Sequence, residues 1–372
     1  MRKLRITKST PNINSSERNL KIVLCEENRV NSSTKNSVME AANNYRFLFA
    51  DPPREVIFEG FKSEKAKTQI DVVPVYREMR TKIGSILEKI TFSLTVNQYI
   101  RMPFRNRYLN INHYPYKDEI DYYIIVPTMS LMRWSVRDIS KLKSAHKSIK
   151  LVLLILDSLH SQSWHIPFVR DKIFSDVWDL VITYDQYDAK EYGFKWLGYA
   201  YYPECEVLPD TESQCDALYI GFNKGNRNKT IGELFKKLTD AGVVCDFRIV
   251  RNGKENEEIV PGLSLTSRRY KYCEIASMAK NANCIVEVLM DGQMTQSYRY
   301  FEAITYNKKL LTNNHNVTKL PYYDSRYMKY FSSVEDIDTE WVRKKEEIDY
   351  GYGGEFSQIH LLEYIKQEFG LN

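Results

Sequence analysis

The chain has 372 residues, 43% hydrophobic and 27% charged, with a formal net charge of +5. That length exceeds what one hydrophobic core usually serves, and the composition excludes a disordered chain. No apolar run approaches the roughly 18 residues that a membrane-crossing helix needs. No secretory leader is legible and the six cysteines form no CxxC pair, so a reducing, cytoplasmic setting is expected.

The charge is uneven. Residues 1–120 hold 21 Lys and Arg against 13 Asp and Glu, net +8, while the remainder nets −3. A basic first third suits a phosphorylated acceptor or an anionic lipid surface, with the protein peripheral on the inner face of the cell membrane. It equally describes a solvated surface with a loose basic terminus. No RNP-type aromatic motif or helix-turn-helix pattern supports a nucleic-acid partner.

Residues 1–18 read as a flexible basic tail. Leu20 to Cys25 reads as a first strand. From Glu26 to Ile120 little is legible beyond a helix over Arg77 to Ile90. The pattern then becomes regular: strand Tyr122 to Val126, helix Ser135 to Ala145, strand Ile149 to Leu156, strand Leu180 to Tyr184, a short helix Asp188 to Tyr192 closed by Gly193, and strand Phe194 to Tyr201. Residues 19–202 are therefore expected to form one Rossmann-like domain. Residues 203–215 are polar, carry two prolines, and mark a linker.

The second half restarts the rhythm over residues 216–350. Its expected strands are Ala217 to Gly221, Val243 to Val250, Asn283 to Leu289 and Lys309 to Thr312. Its expected helices are Ile231 to Ala241, Tyr270 to Ala279, Ser297 to Tyr306 and Ser333 to Ile348. Cys245 and Cys284 fall in apolar runs and are expected to be buried thiols. A closing helix, Phe356 to Phe369 within residues 351–372, is expected to pack back on the first domain. Alternating strands and helices imply parallel βαβ units. The fold class expected is α/β, with two doubly wound domains facing across a cleft.

Three motifs carry chemistry. In the first, strand Asn283 to Leu289 runs through a polar loop into a helix bearing Arg299 and Glu302. Unpaired N–H groups and the helix dipole favour an anion at such a helix start. Arg299 adds a planar fork suited to phosphate, and Glu302 can accept hydrogen bonds from sugar hydroxyls. The same residues also read as an ordinary capped helix, Thr295 or Ser297 being the cap, with an Arg–Glu pair on an exposed face. The second is the strand end at Gly221, followed by Lys224 and Arg227: a close-approach glycine and two cations for a diphosphate, or a solvated surface turn. The third is Asp157 at a strand end, either a general base or a turn cap. Asp185 reads more readily as a cap. The histidines at 160 and 165 lack zinc-type spacing, and Asp336-Ile337-Asp338 sits at a helix start. No metal is therefore expected.

The blocks LVLLILDSLHS (Leu151 to Ser161), DLVITYDQYDAKEYGFKWL (Asp179 to Leu197), ALYIGFNKGNR (Ala217 to Arg227) and NCIVEVLMDGQMTQSYRYFEAITYNKKLLTNN (Asn283 to Asn314) resemble bacterial surface-polysaccharide glycosyltransferases of capsule and lipopolysaccharide clusters, which have GT-B architecture. The resemblance spans residues 120–315. It implies an acceptor-side first domain and a donor-binding second domain. It places Arg299, Gln293 and Ser297 on a diphosphate and Glu302 on a ribose, with Gly221 and Lys224 at the facing loop. Two positions depart from that pattern: Thr295 stands where the family loop usually has glycine, and Leu156 where a Trp precedes the Asp157 equivalent.

The expected function is transfer of a sugar from a nucleotide-diphosphate donor to a saccharide or lipid-linked acceptor, without a cofactor or metal. Cations at 224, 227 and 299 would stabilise the leaving diphosphate, and Asp157 would serve as base if the reaction inverts. The rival expectation, favoured by Thr295 and the absent tryptophan, is a non-catalytic nucleotide-sugar sensor or partner subunit with the same fold.

Overall fold

The computed structural model describes residues 44–51, 61, 68–77, 81–93, 108–160, 166–197, 214–222, 227–251, 263–290 and 295–371. The basic tail, the expected strand Leu20 to Cys25 and the linker residues 203–213 lie outside them. Among the described residues, twelve strands form two six-stranded sheets in which every pairing is parallel.

The first lobe contains β1 (Tyr45–Asp51), β2 (Ile70–Pro74), β3 (Asp121–Pro127), β4 (Ile149–Ile155), β5 (Leu180–Thr183) and β6 (Lys195–Trp196), in spatial order β2-β1-β3-β4-β5-β6. Its central strands β3, β4 and β5 are largely apolar runs because helices cover both faces of a parallel sheet. Side chains of β4 accordingly alternate between two clusters, Val152 and Leu154 on one face, Leu151, Leu153 and Ile155 on the other. The helices are α1 (Lys82–Thr91), α2 (Val136–Ala145), α3 (Ile166–Ile173) and α4 (Gln186–Tyr192). Asp185 is indeed a cap: its Oδ1 accepts from the Tyr187 and Asp188 amides, starting α4 two residues before the sequence expectation.

The second lobe contains β7 (Cys215–Phe222), β8 (Cys245–Val250), β9 (Ser264–Thr266), β10 (Ala282–Glu287), β11 (Lys309–Thr312) and β12 (Met328–Tyr330), ordered β12-β11-β10-β7-β8-β9. Its helices are α5 (Arg227–Asp240), α6 (Tyr272–Asn281), α7 (Tyr298–Thr305) and α8 (Thr339–Arg343), followed by α9 (Gln358–Phe369). Counted from β7, this is the 3-2-1-4-5-6 order of dinucleotide-binding folds, whose ligand crevice opens where the order reverses. Here that point lies between the carboxyl ends of β7 and β10. The two-lobed, doubly wound, GT-B-like architecture expected from the sequence is the one observed.

Several expectations need correction. No long helix spans Ser333 to Ile348. Ser333 and Asp336 close a capping box around a single 3-10 turn (Val334–Asp336), and Asp338 then caps α8 by accepting from the Trp341 amide. The wholly buried Lys309 ammonium ends α8 by taking the Trp341 carbonyl at 2.7 Å and also the Lys344 carbonyl. Both aspartates of Asp336-Ile337-Asp338 thus serve as caps. The α1 helix starts at Lys82 rather than Arg77. Cys284 is buried as expected, but Cys245, at the first position of β8, is only half-buried.

The α9 helix touches both lobes. Gln358 Oε1 accepts from the Phe61 amide (3.1 Å), Glu368 pairs with Lys195 (2.9 Å), and the Phe369 ring meets Tyr123 at 4.9 Å. Just before it, Phe356 packs on Phe301 of α7 at 5.0 Å.

Candidate functional site

The β10 strand ends on Glu287, and that carboxylate builds the approach to α7. It is 1% exposed. Oε1 accepts from the Ser297 amide (2.7 Å) and Oε2 from the Thr312 hydroxyl at the end of β11 (2.6 Å). Burial pushes the Glu287 carboxyl above its ordinary range, against the pull of these hydrogen bonds and of Arg299. Asn313 holds the preceding chain, accepting from the Leu289 amide and donating to its carbonyl. Ser297, fastened in this way, caps α7 by accepting from the Arg299 amide (3.2 Å). The first amides of α7 are therefore aimed at the crevice beside β7.

Arg299 follows on the first turn, its side chain only 11% exposed. Its Nη1 lies 2.7 Å from Glu302 Oε2, and Glu302 Oε1 accepts from the Tyr272 hydroxyl (3.2 Å). Glu302 is wholly buried, and burial pushes its carboxyl up to about 7 although Arg299 and Tyr272 pull it down. The pair is thus an interior one, not the exposed pair that the plain helix reading describes. Glu302 offers no open surface to a sugar hydroxyl in this structure and instead aims the guanidinium. An arginine held by a carboxylate beneath it loses little freedom on meeting an anion.

On the other side of the switch point, Arg227 opens α5. Its Nη2 donates to the Phe222 carbonyl (2.6 Å) and its Nη1 reaches the Val288 carbonyl (3.5 Å), straddling the ends of β7 and β10. Between the two arginines rises Tyr219. It is 2% exposed, and its hydroxyl has no hydrogen-bond partner among the described residues. Burial raises its phenol above the ordinary value, and the nearby Arg227 and Arg299 charges oppose this. An unsatisfied buried hydroxyl costs free energy, and this one stands beside two cations. Gly221 is required by this arrangement. A Cβ there would sit 2.6 Å from the Tyr219 hydroxyl and 3.5 Å from Arg227 Nη2.

These groups line one pocket of about 310 Å³. Gly221, Arg227, Ser297 and Arg299 belong to its polar lining. Phe222, Tyr270, Tyr272, Tyr298, Val250 and Ile275 form much of its apolar remainder, and Arg269 stands at its edge over the Phe222 ring (5.8 Å). Of the residues named from sequence, Thr295 and Glu302 lie behind the lining, Asp157 lies in the other lobe, and Lys224 and Gln293 fall outside the described residues. Sequence reading missed Tyr219, Arg269, the tyrosines at 270, 272 and 298, and Glu287. The available signals were a carboxylate closing an apolar strand, and a tyrosine two positions before the glycine.

Thr295 has its own role. It lies beside the phenol of Tyr184, just past the end of β5 in the first lobe, and that phenol accepts from the Ser158 amide (3.2 Å). Burial, with the Asp157 charge adding, holds the Tyr184 phenol well above its usual range. Strand ends of the two lobes therefore meet here, with Asp157 close by.

A scan of family models finds no match, and a search of characterised proteins by sequence finds none. Solved structures with similar folds include a putative UDP-N-acetylglucosamine 2-epimerase from Listeria monocytogenes (TM-score 0.49, 11% identity, 89% of this chain and 98% of that one). Others are an alpha-glucosyltransferase in complex with UDP and DNA (0.47, 10%, 87% and 99%) and the glycosyltransferase SnogD from Streptomyces nogalater (0.39, 12%, 86% and 99%). At these scores the likenesses assign neither a residue nor a reaction to this chain.

Proposed function

We propose that the chain is a glycosyltransferase that takes a nucleotide-diphosphate sugar in the second-lobe pocket and transfers the sugar to an acceptor held against the first lobe. The observation that carries this reading is the pocket at the β7–β10 switch point: two arginines, a capped helix start and a tyrosine hydroxyl without a partner among the described residues, with aromatic side chains in the same lining. The cations and helix start fit a diphosphate and the aromatic side chains a nucleoside base. The acceptor hydroxyl attacks the anomeric carbon, and the bond from that carbon to the phosphate oxygen breaks. The electron pair leaves with the diphosphate, whose charge Arg227, Arg299 and the α7 amides stabilise. For an inverting reaction, Asp157 receives the acceptor proton.

Donor binding in this reading uses backbone and arginine without a metal, with Lys224 and Gln293 completing the anion contacts. A saccharide or lipid-linked acceptor of surface-polysaccharide synthesis is the finer reading, supported by the sequence blocks over residues 120–315. The test is a thermal-shift series with UDP, GDP, CMP and dTDP species. A ligand bound only by the folded state at 100 times its Kd adds about 2.7 kcal/mol of stability. No shift with any of them removes the proposal. A shift without release of sugar from the matching donor assigns the chain to the sensor class instead.

A further inference from the structure

Helix α1 is built inside out. Its inward side is small and polar: Gly84 is buried, Glu88 is 7% exposed and Thr91 6%. Its outward side is aliphatic, with Ile83 at 73%, Ile86 at 58%, Leu87 at 47% and Ile90 at 42% exposed. Positions i, i+3, i+4 and i+7 share one helix face, so the four make a continuous stripe about 10 Å long. A helix of a water-facing lobe turns that stripe inward. Contiguous apolar surface of this kind marks an interaction site.

The charges around the stripe select the partner. The helix carries three charged residues. Its two lysines, Lys82 and Lys89, are exposed along one edge of the stripe, and its single acid, Glu88, is turned inward. Arg77, just upstream, is exposed as well. The outer face therefore presents aliphatic side chains and cations with no carboxylate among the described residues. That combination matches a helix lying in the plane of an anionic lipid surface, aliphatics among the acyl chains and lysines at the head groups. Thr81 caps the helix by accepting from the Gly84 amide (3.0 Å), and Phe92 at its end packs on Tyr76 at 4.8 Å. The helix is thus held in the lobe independently of its outer face.

We propose that α1 docks the first lobe on anionic lipid bilayers through Ile83, Ile86, Leu87 and Ile90. This does not depend on the nucleotide reading of the second lobe. The test is co-sedimentation of the full chain with vesicles of phosphatidylglycerol and phosphatidylcholine, beside vesicles of phosphatidylcholine alone. The wild type should pellet with the anionic vesicles, less so at high salt. An Ile86→Ser, Leu87→Ser double variant should partition at least about tenfold less. A Lys82→Gln, Lys89→Gln variant should lose the preference for anionic vesicles while any nucleotide-induced thermal shift persists. Three results would overturn the assignment: wild-type protein that stays in the supernatant, serine-variant protein that partitions like the wild type, or a concentration-dependent dimer dissolved by the serine changes without vesicle binding. The last would make the stripe a contact between copies of this chain.

Discussion

The two lobes share a scaffold and differ in what stands at their strand ends. Both are six-stranded parallel sheets with one reversal of strand order, between β7 and β10 in the second lobe and between β1 and β3 in the first. In the second lobe that reversal carries two arginines, a capped helix start and a tyrosine hydroxyl without a partner among the described residues, over a pocket. The first lobe presents carboxylates past its β5 strand end: Asp185 used as a cap, and Asp188 wholly buried, accepting from the Leu159 amide at 2.8 Å. Topology opens a crevice in either lobe, and side-chain charge decides which crevice can hold an anion.

Changes on the second-lobe side should be the more costly. Arg299→Ala should lower transfer roughly 100- to 1,000-fold, the scale for losing one preorganised charge-stabilising donor. It should also abolish the nucleotide-induced thermal shift, whereas Asp157→Asn in the first lobe should leave that shift intact. Equal loss in both variants would erase the distinction between lobes. Because Arg299 faces the buried Glu302, the alanine variant should also be less stable, and an Arg299→Ala, Glu302→Gln pair should recover part of that loss.

The buried carboxyl predicts a pH dependence of comparable size in free energy. Glu302 has a folded-state value of about 7, above its ordinary 4.5, so the folded state binds its proton more tightly than the unfolded state. The stability this gives is complete below pH 4.5 and is lost as pH rises through 7, roughly 3 kcal/mol in all. Urea midpoints measured across that window should fall with rising pH, and Glu302→Gln should flatten the slope. An unchanged slope would place the titration elsewhere, Glu287 and Asp188 being carboxyls that burial shifts in the same direction.

Smaller effects test the packing. Gly221→Ala puts a Cβ 2.6 Å from the Tyr219 hydroxyl, which must shift, and should cost about 1–3 kcal/mol, with weakened nucleotide affinity. Pairing it with Tyr219→Phe, which removes the clashing hydroxyl, should restore stability but not affinity. Tyr184→Phe removes the acceptor of the Ser158 amide and the polar group that faces Thr295 of the other lobe, and should cost about 1 kcal/mol in unfolding experiments. A null result there would leave the α9 contacts, Gln358 to Phe61 and Glu368 to Lys195, as the polar links of the second half of the chain to the first lobe.

The architecture was legible wherever strands are buried on both faces, since β3, β4, β5, β7, β8, β10 and β11 all read as apolar runs. β1 and β2 were not. β2 carries Asp71 amid its apolar residues, bound by Arg46 (2.5 Å) and by the Tyr114 hydroxyl (2.5 Å), a satisfaction that only tertiary structure supplies. In the pocket, Arg299 and Gly221 could be named from local pattern because helix starts and strand-end glycines have local signatures. Tyr219 and Arg269 could not, because their relevance comes from strand order, which brings β7 beside β10 across the 59 residues between Phe222 and Ala282. Thr295 shows the limit most plainly. It departs from the family loop in sequence, yet its hydroxyl serves a contact with the opposite lobe that no local spacing encodes.

The bond from the Phe61 amide to Gln358 joins positions 297 apart. During synthesis the first lobe therefore leaves the ribosome with Phe61, Tyr123 and Lys195 still waiting for α9, which is made only after the whole second lobe. Pairings between such distant parts form slowly, and domains lacking a docking element expose apolar surface meanwhile. Maturation of the first lobe is thereby coupled to completion of the second, so a nascent chain halted before α9 should be the species that chaperones and proteases engage.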